Sequence, residues 1–202
     1  METIASPLSA LDVIYSRRSV RAYTPDTVPE STVRGLIDAA VQAPTTLGAQ
    51  SWSFVVVQDP RRLARLSDLT KVQFMQQMAT DPALYLAVRS NTGEDLVTRF
   101  SDPGFDVFYG ATTLIVICTR GTRSFGTADC WLAAENLMLA ASALGLGSCC
   151  IGAAAGALNS AEMRLELAIP AVVTAVAPIV VGVPAQPTPP IDRREPDIIA
   201  WK

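Results

Sequence analysis

Arg17, Arg18, Ser19 and Arg21 fall within five consecutive positions, Arg-Arg-Ser-Val-Arg. Three guanidinium groups and a hydroxyl at that spacing form a donor set for an anion. Arginine presents paired N–H donors in a planar fork that matches phosphate or carboxylate oxygens. The same cluster would also suit the end of a helix, where cations favour the C-terminal dipole, and spacing alone does not choose between the two. A second basic pair, Arg193 and Arg194, stands near the other end of the chain. No broad basic field accompanies them: 16 Lys and Arg against 19 Asp and Glu give a net charge of −3. Nothing therefore favours a nucleic-acid partner.

The chain contains no histidine, which removes the usual general base near neutral pH and the commonest metal ligand. A Ser-His-Asp hydrolase or a Cys-His protease is excluded in its standard form. Chemistry must come from other side chains or from a bound cofactor. Cys118, Cys130, Cys149 and Cys150 show no CxxC spacing, so neither a zinc site nor a disulfide scaffold is expected. They read as small buried hydrophobes, with Cys130 at an expected helix start. Two other segments have suggestive chemistry. Pro44-Thr45-Thr46-Leu47-Gly48-Ala49-Gln50-Ser51-Trp52 is a polar turn rich in hydroxyls and amides. Gly145 to Gly152, GLGSCCIG, is a glycine-rich turn containing Cys150, Ile151 and Gly152. It does not complete the GxGxxG pattern and no suitable strand precedes it, so it is not a dinucleotide fingerprint. Gly152 would nevertheless let a ligand approach the backbone closely.

The elements that must hold these residues can be read from periodicity. With 202 residues, 50% hydrophobic and 17% charged, residues 1–202 are expected to form a single folded domain. Ser6-Pro7 opens a helix over 7–17, and Pro29-Glu30 opens a second that ends at Ala43-Pro44. Ser53–Gln58 and Thr113–Cys118 are β-branched runs typical of buried strands. A helix is expected over roughly 60–79. Asp129 is expected to cap a long helix with Leu132, Ala133, Asn136, Leu137, Ala140 and Leu144 on its inner face. A short strand at 148–151, a helix with Asn159 and Glu162 in capping-box spacing, and a strand over 172–183 follow. The uncharged stretch 137–158 is long enough to span a bilayer, but its small residues and the Gly145-Leu146-Gly147 helix stop favour a buried helix and strand. The opening residues METIASPLSALD show no basic region followed by an apolar run, so a cytoplasmic protein is the default. Alternation of helices and strands gives a mixed sheet covered by helices.

In order along the chain, RRSVRAYTPDTVPESTVRGLIDAAVQAPTTLGAQSWSFVVVQ, DCWLAAENLMLAASALGLGSCCIG and VGVPAQPTPPIDRREP resemble the N-terminal signature, central helix and turn, and C-terminal strand and tail of the nitroreductase family. The resemblance implies an α+β fold with a mixed central sheet flanked by helices, and an intertwined homodimer with FMN at the subunit interface. Arg21 would then serve the flavin ring or ribityl side, where a cation stabilises the N1–C2=O edge on reduction. Arg17 and Ser19, with Arg18 beside them, would serve the phosphate or ribityl side, and Arg193 or Arg194 would meet the phosphate. Pro44, Thr45, Thr46, Gly48 and Gln50 would form the turn that reaches the partner's flavin. Gly48 stands where the family usually has asparagine, and Ser51 where it has proline. Backbone N–H groups of Cys150, Ile151 and Gly152 would lie beside flavin N5 and O4. Residues 60–108 would hold a variable lid, with Tyr85, Phe100, Phe105 and Phe108 as lid aromatics or as ordinary packing, and residues 184–202 the tail.

The implied activity is ping-pong hydride transfer from NAD(P)H through flavin N5 to a small electron-poor acceptor such as a nitroaromatic or quinone, with no metal and no membrane partner. It needs no acid–base triad, which suits a chain without histidine. The same fold also serves dehalogenation, enone reduction and flavin cleavage, and a non-catalytic flavin-binding or sensory protein is a further alternative.

Overall fold

Thr113–Cys118 carries no charge and four branched aliphatic side chains in a row. Such a run is stable only where both faces of a strand are covered. The computed structural model, which describes residues 9–81, 83, 86, 96–121 and 124–202, places it at the centre. In chain order the elements are α1 (Ala10–Ser16), α2 (Glu30–Ala40), β1 (Trp52–Val57), α3 (Pro60–Thr80), α4 (Leu96–Ser101), β2 (Thr113–Arg120), α5 (Ser124–Ala143), β3 (Gly147–Cys150), α6 (Ala154–Leu158), α7 (Ala161–Glu166) and β4 (Val173–Gly182). The sheet order is β1-β2-β4-β3, and all three pairings are antiparallel. Among the described residues, parallel pairing appears only as an isolated bridge between Ser19 and Ser148. The mixed character expected from the sequence thus reduces to that bridge.

Two apolar layers cover the sheet. On one face Leu114, Val116 and Cys118 pack with Leu66 and Phe74 of α3 and with Leu158 and Met163. On the other, Ile115 and Ile117 pack with Leu36 of α2 and Leu137 of α5. This is the period-two alternation of a strand buried on both sides. β4 obeys it until the register shifts opposite Ile117 and Cys118, where Ala177 pairs with Ile117 but Ala175 pairs with Cys118. The extra residue, Val176, is a bulge that moves Ala175 to the first layer and Ala177 to the second.

Several boundaries differ from the sequence reading, each for a local reason. The first helix is capped by Ser9, which forms a reciprocal capping box with Asp12; Ser6-Pro7 lies outside the described residues. α3 begins as expected, with the Asp59 carboxylate accepting from Arg61 N at 2.9 Å and Arg62 N at 3.0 Å. α5 begins at Ser124, so Asp129 and Cys130 lie inside the helix and both are buried. Its sheet face is Cys130, Ala133, Ala134, Leu137 and Ala141. Leu132 is 47% exposed and Leu144 62% exposed, because this helix is apolar on nearly every side and periodicity could not select the inner stripe. Ser160, not Asn159, caps α7 by accepting from Met163 N. Asn159 instead binds Ala175 in both directions, at 2.9 and 3.0 Å, and ties α6 to β4. The 137–158 stretch divides into α5, β3 and α6, and among the described residues no helix is long and apolar enough to cross a membrane.

Candidate functional site

β3 is an edge strand, and its outer edge is where the arginine segment docks. After α1 the chain runs beside it, with Val20 N donating to Ser148 O at 3.0 Å. Further on, Thr24 N donates to Val183 O at 2.9 Å and Ala185 N to Ala22 O at 3.0 Å. Two glycines make this approach possible. A Cβ on Gly147 would lie 2.9 Å from three carbons of Val20, and one on Gly182 would lie 2.8 Å from the Tyr23 ring. The backbone around Arg17–Arg21 is therefore set by the sheet edge, not by the preceding helix.

The arginines then diverge. Arg18 folds back, its Nη1 donating to Tyr15 O at 2.7 Å and Arg17 O at 2.8 Å, which is the helix-end role. Its Nε is buried without a partner among the described residues. Arg17 Nε lies 3.4 Å from the Glu135 carboxylate of α5. Arg21 reaches a cleft of about 650 Å³. Ser19 bridges to Ser148 on the outer edge of β3.

That cleft brings Arg21 together with Cys150, Ile151 and Gly152, and its far wall comes from Phe74, Leu96 and Phe100. The backbone donors there are not equivalent. Ile151 N–H points into the sheet and donates to Pro178 O at 2.9 Å. Gly152 N–H faces the Cys150 sulfur. Ser148 uses the outer edge, so period-two alternation turns the Cys150 N–H outward as well. Of the three expected donors, Cys150 is the one aimed away from the sheet. The thiols are not nucleophiles at neutral pH: burial pushes Cys150 up to about 11 and raises Cys149 despite nearby Arg21.

The cleft also contains residues that the sequence reading did not select, namely Gln77, Arg99 and Tyr109. The Arg99 guanidinium lies over the Phe105 ring at 4.6 Å and the Tyr109 ring at 5.5 Å, a cation–π arrangement. Tyr109 occupies the left-handed region at φ 59, and a signal for it was present as an Asp-x-x-Tyr-Gly turn at 106–110. Of the aromatics considered for a lid, Phe108 is core, Phe100 is buried while touching the cleft, and Tyr85 lies outside the described residues.

Other expected residues lie elsewhere. The turn at Pro44–Gln50 lines no part of this cleft. It contains a short 3-10 segment, Thr46–Gly48, and three left-handed residues, Leu47, Gly48 and Gln50. The buried Asp129 carboxylate clamps it, accepting from Thr46 N at 3.2 Å and Thr46 Oγ1 at 3.3 Å. The Thr45 hydroxyl accepts from Gln50 N at 3.4 Å, and Leu47 projects 96% exposed. Arg193 and Arg194 are exposed on the tail and do not line the cleft.

The residues present fit the flavin implied by the sequence resemblance. A Cβ on Gly152 would meet nothing within 4 Å, so the backbone there is open to a flat ring. The guanidinium of Arg21 on the cleft wall supplies donors for an anionic group.

Known proteins point the same way. The model of the nitroreductase family matches residues 14–182. The chain is 28% identical to the FMN reductase [NAD(P)H] of Bacillus subtilis, with 83% of this chain and 63% of that protein covered. It is 29% identical to nitroreductase NfnB of Mycolicibacterium smegmatis, over 73% of this chain and 72% of that protein. Its fold is similar to the crystal structure of a nitroreductase with bound FMN from Bacteroides fragilis, with a TM-score of 0.76, 23% identity and coverage of 96% and 98% of the two chains.

Proposed function

The chain belongs to the nitroreductase family, and from that premise we propose that it is an FMN-dependent NAD(P)H oxidoreductase whose two substrates take turns in one cleft. The observation that carries this reading is the convergence of Arg21, the outward Cys150 N–H and the open backbone at Gly152 on a cleft of about 650 Å³ with an aromatic and aliphatic far wall. FMN, when bound, supplies the N5 position that accepts hydride from NAD(P)H and passes it to an electron-poor acceptor such as a nitroaromatic or quinone.

The protein's own residues bind, orient and exclude water. Arg21 places a positive charge where the reduced ring becomes negative, which favours reduction. Cys150 N–H is the backbone donor for the N5–O4 side. Ser19 and Arg17 would flank the ribityl and phosphate end, while Arg18, folded onto Tyr15 O and Arg17 O, is left to close α1. Phe74, Leu96 and Phe100 give a planar substrate an apolar surface. With no histidine in the chain, the side chains position the reactants and leave redox chemistry to the cofactor.

We further propose that two copies complete each site within one 1–202 domain per chain. The outer faces of α1 and α5 expose Leu11, Ile14, Tyr15, Trp131 and Leu132, an apolar surface suited to a second copy. The turn at 44–50 and the tail with Arg193 and Arg194, which do not line this chain's own cleft, are the segments assigned to the partner's site.

An absorbance spectrum of the purified protein with added FMN tests the reading. Flavin bands that bleach with NADH or NADPH and return with a nitroaromatic or quinone are expected. A protein that stays colourless and fails to bind FMN would overturn the proposal.

A further inference from the structure

Among the described residues that line the cleft, Arg21 and Arg99 carry the only charged side chains, and both are cations. The chain as a whole carries −3, so the positive character belongs to this cleft and not to the surface at large. A cleft with charge of one sign and apolar walls concentrates ligands of the opposite sign. Arg21 stands with Cys150 and Gly152 on the side read as the flavin's. Arg99 belongs to α4, which also gives Leu96 and Phe100 to the far wall.

The far wall is a run of rings with Arg99 laid over its end. The centroids of Phe74 and Phe100 are 4.0 Å apart, those of Phe100 and Phe105 5.4 Å, and those of Phe105 and Tyr109 5.8 Å. The Arg99 guanidinium lies over the last two rings, at 4.6 Å and 5.5 Å. The turn that carries those rings is held from several sides. The Asp106 carboxylate accepts from Phe108 N at 2.9 Å and from Gly110 N at 2.8 Å, and Val107 N donates to the buried Ser67 Oγ of α3 at 2.9 Å. A guanidinium packed over fixed rings has lost part of its rotamer freedom before any ligand arrives. It also has more N–H donors than one partner takes up. An aromatic wall that carries a cation is matched by an aromatic ring that carries an anionic group: the ring packs on the wall and the anion meets the guanidinium.

We propose that Arg99 is a specificity-determining residue, and that the acceptors this cleft favours are aromatic compounds bearing a carboxylate or a sulfonate. This rests on the reading that the cleft holds FMN and that the acceptor enters against the far wall. Arg99 holds the acceptor's charge and is assigned no step in hydride or proton transfer.

The test compares 4-nitrobenzoate with 4-nitrobenzamide, which have nearly the same shape and differ in charge. The FMN-loaded protein is reduced anaerobically, and the second-order rate constant for its reoxidation by each acceptor is measured, so the reductant takes no part. Intrinsic differences between the acceptors cancel when their rate ratio is compared across the parent, Arg99→Gln and Arg99→Lys. Loss of one hydrogen-bonded charge contact predicts that the carboxylate-to-amide ratio falls roughly tenfold in Arg99→Gln. Arg99→Lys, which keeps the charge, retains most of the ratio, and added salt lowers the parent's rate with the carboxylate more than with the amide. A ratio in Arg99→Gln equal to the parent's overturns the proposal. So does an equal loss for both acceptors, because Arg99 would then shape the wall without reading charge. A drop in FMN affinity in Arg99→Gln as large as that in Arg21→Ala would assign Arg99 to the cofactor and overturn it as well. Failure of the parent to bind FMN, or to be reduced by NADH and NADPH, would instead sink the flavin reading itself.

Discussion

Alanine at two glycines in the same short stretch should have opposite consequences. At Gly147 the new Cβ would lie 2.9 Å from Val20 Cβ, Cγ1 and Cγ2. Favourable carbon–carbon contact begins at about 3.5 Å, so three pairs overlap by roughly 0.6 Å each. Val20 is buried, β-branched and hydrogen-bonded through its N–H to Ser148, so rotation offers little relief. Overpacking of this kind costs about 1–3 kcal/mol, which for a chain of this size lowers Tm by roughly 2–12 °C. The arginine segment must shift outward, and FMN affinity should fall with it. At Gly152 the new Cβ meets nothing within 4 Å and no positive φ is involved, so Tm should remain within about 2 °C of the parent, as for a surface change. If the flavin ring lies against this backbone, the methyl group occupies its space and FMN affinity should fall roughly tenfold or more. Thermal melts without FMN and flavin-fluorescence titrations separate the two. An unchanged Tm in Gly147→Ala would refute the close-approach account of the β3 edge. A Gly152→Ala protein that binds FMN as tightly as the parent would refute the placement of the ring there.

Three further outcomes follow from the packing. Leu137→Ala, in the fully buried layer under α5, should cost about 2–5 kcal/mol in chemical denaturation; a loss under 1 kcal/mol would mean that layer is loosely packed. Asp129→Ala removes the acceptor for Thr46 N and Oγ1 and should cost about 1–3 kcal/mol, with faster proteolysis at the exposed Leu47 turn as a local readout; unchanged cleavage there would show that the clamp is dispensable. Burial pushes Cys118 up to about 11 and Cys130 up to about 12 from the ordinary value of 9. Both thiols are neutral in the folded and unfolded chain below pH 9, and only the unfolded chain ionises them as pH rises from there. Stability should therefore hold up to about pH 9 and decline towards pH 11–12, and replacing both cysteines with alanine should flatten the decline in melts taken between pH 8 and 11.

The strands were legible because their sequences leave few alternatives. Thr113–Cys118 and Val173–Gly182 are apolar on both faces, and such runs must lie between two covering layers. A helix was expected over roughly 60–79, and α3 runs over Pro60–Thr80 with Asp59 as its cap. The start of α5 was not, because the helix is apolar nearly all round, and Asp129 imitates a cap when read alone. Its carboxylate is instead satisfied by Thr46, 83 positions away, and no local pattern encodes a partner at that distance. The one-residue shift from Asn159 to Ser160 has a similar cause. Either residue can cap, and the choice falls to Ser160 because Asn159 is needed to hold Ala175.

The site was legible as a set of segments but not as a division of labour. By residue type alone Arg17, Arg18 and Arg21 are equivalent, and only the family resemblance set Arg21 apart for the ring side; in the structure one pairs with Glu135, one closes α1 and one enters the cleft. What separates them is the direction in which each side chain leaves a segment pinned to β3, and that depends on the Val20–Ser148 hydrogen bond and the missing Cβ of Gly147. The backbone donors are sorted the same way: strand alternation, not residue type, turns Cys150 N–H outward and Ile151 N–H inward. Tyr109 escaped notice because tyrosine in a loop is ordinary, and its distinction is a φ of 59 enforced by Asp106. Residue type thus announces which segments can hold an anionic cofactor, while the sheet edge decides which atoms of those segments are presented to it. A substitution that preserves residue type but moves that edge, such as Gly147→Ala, should therefore damage the site more than the loss of Arg18, whose charge is largely spent on its own helix.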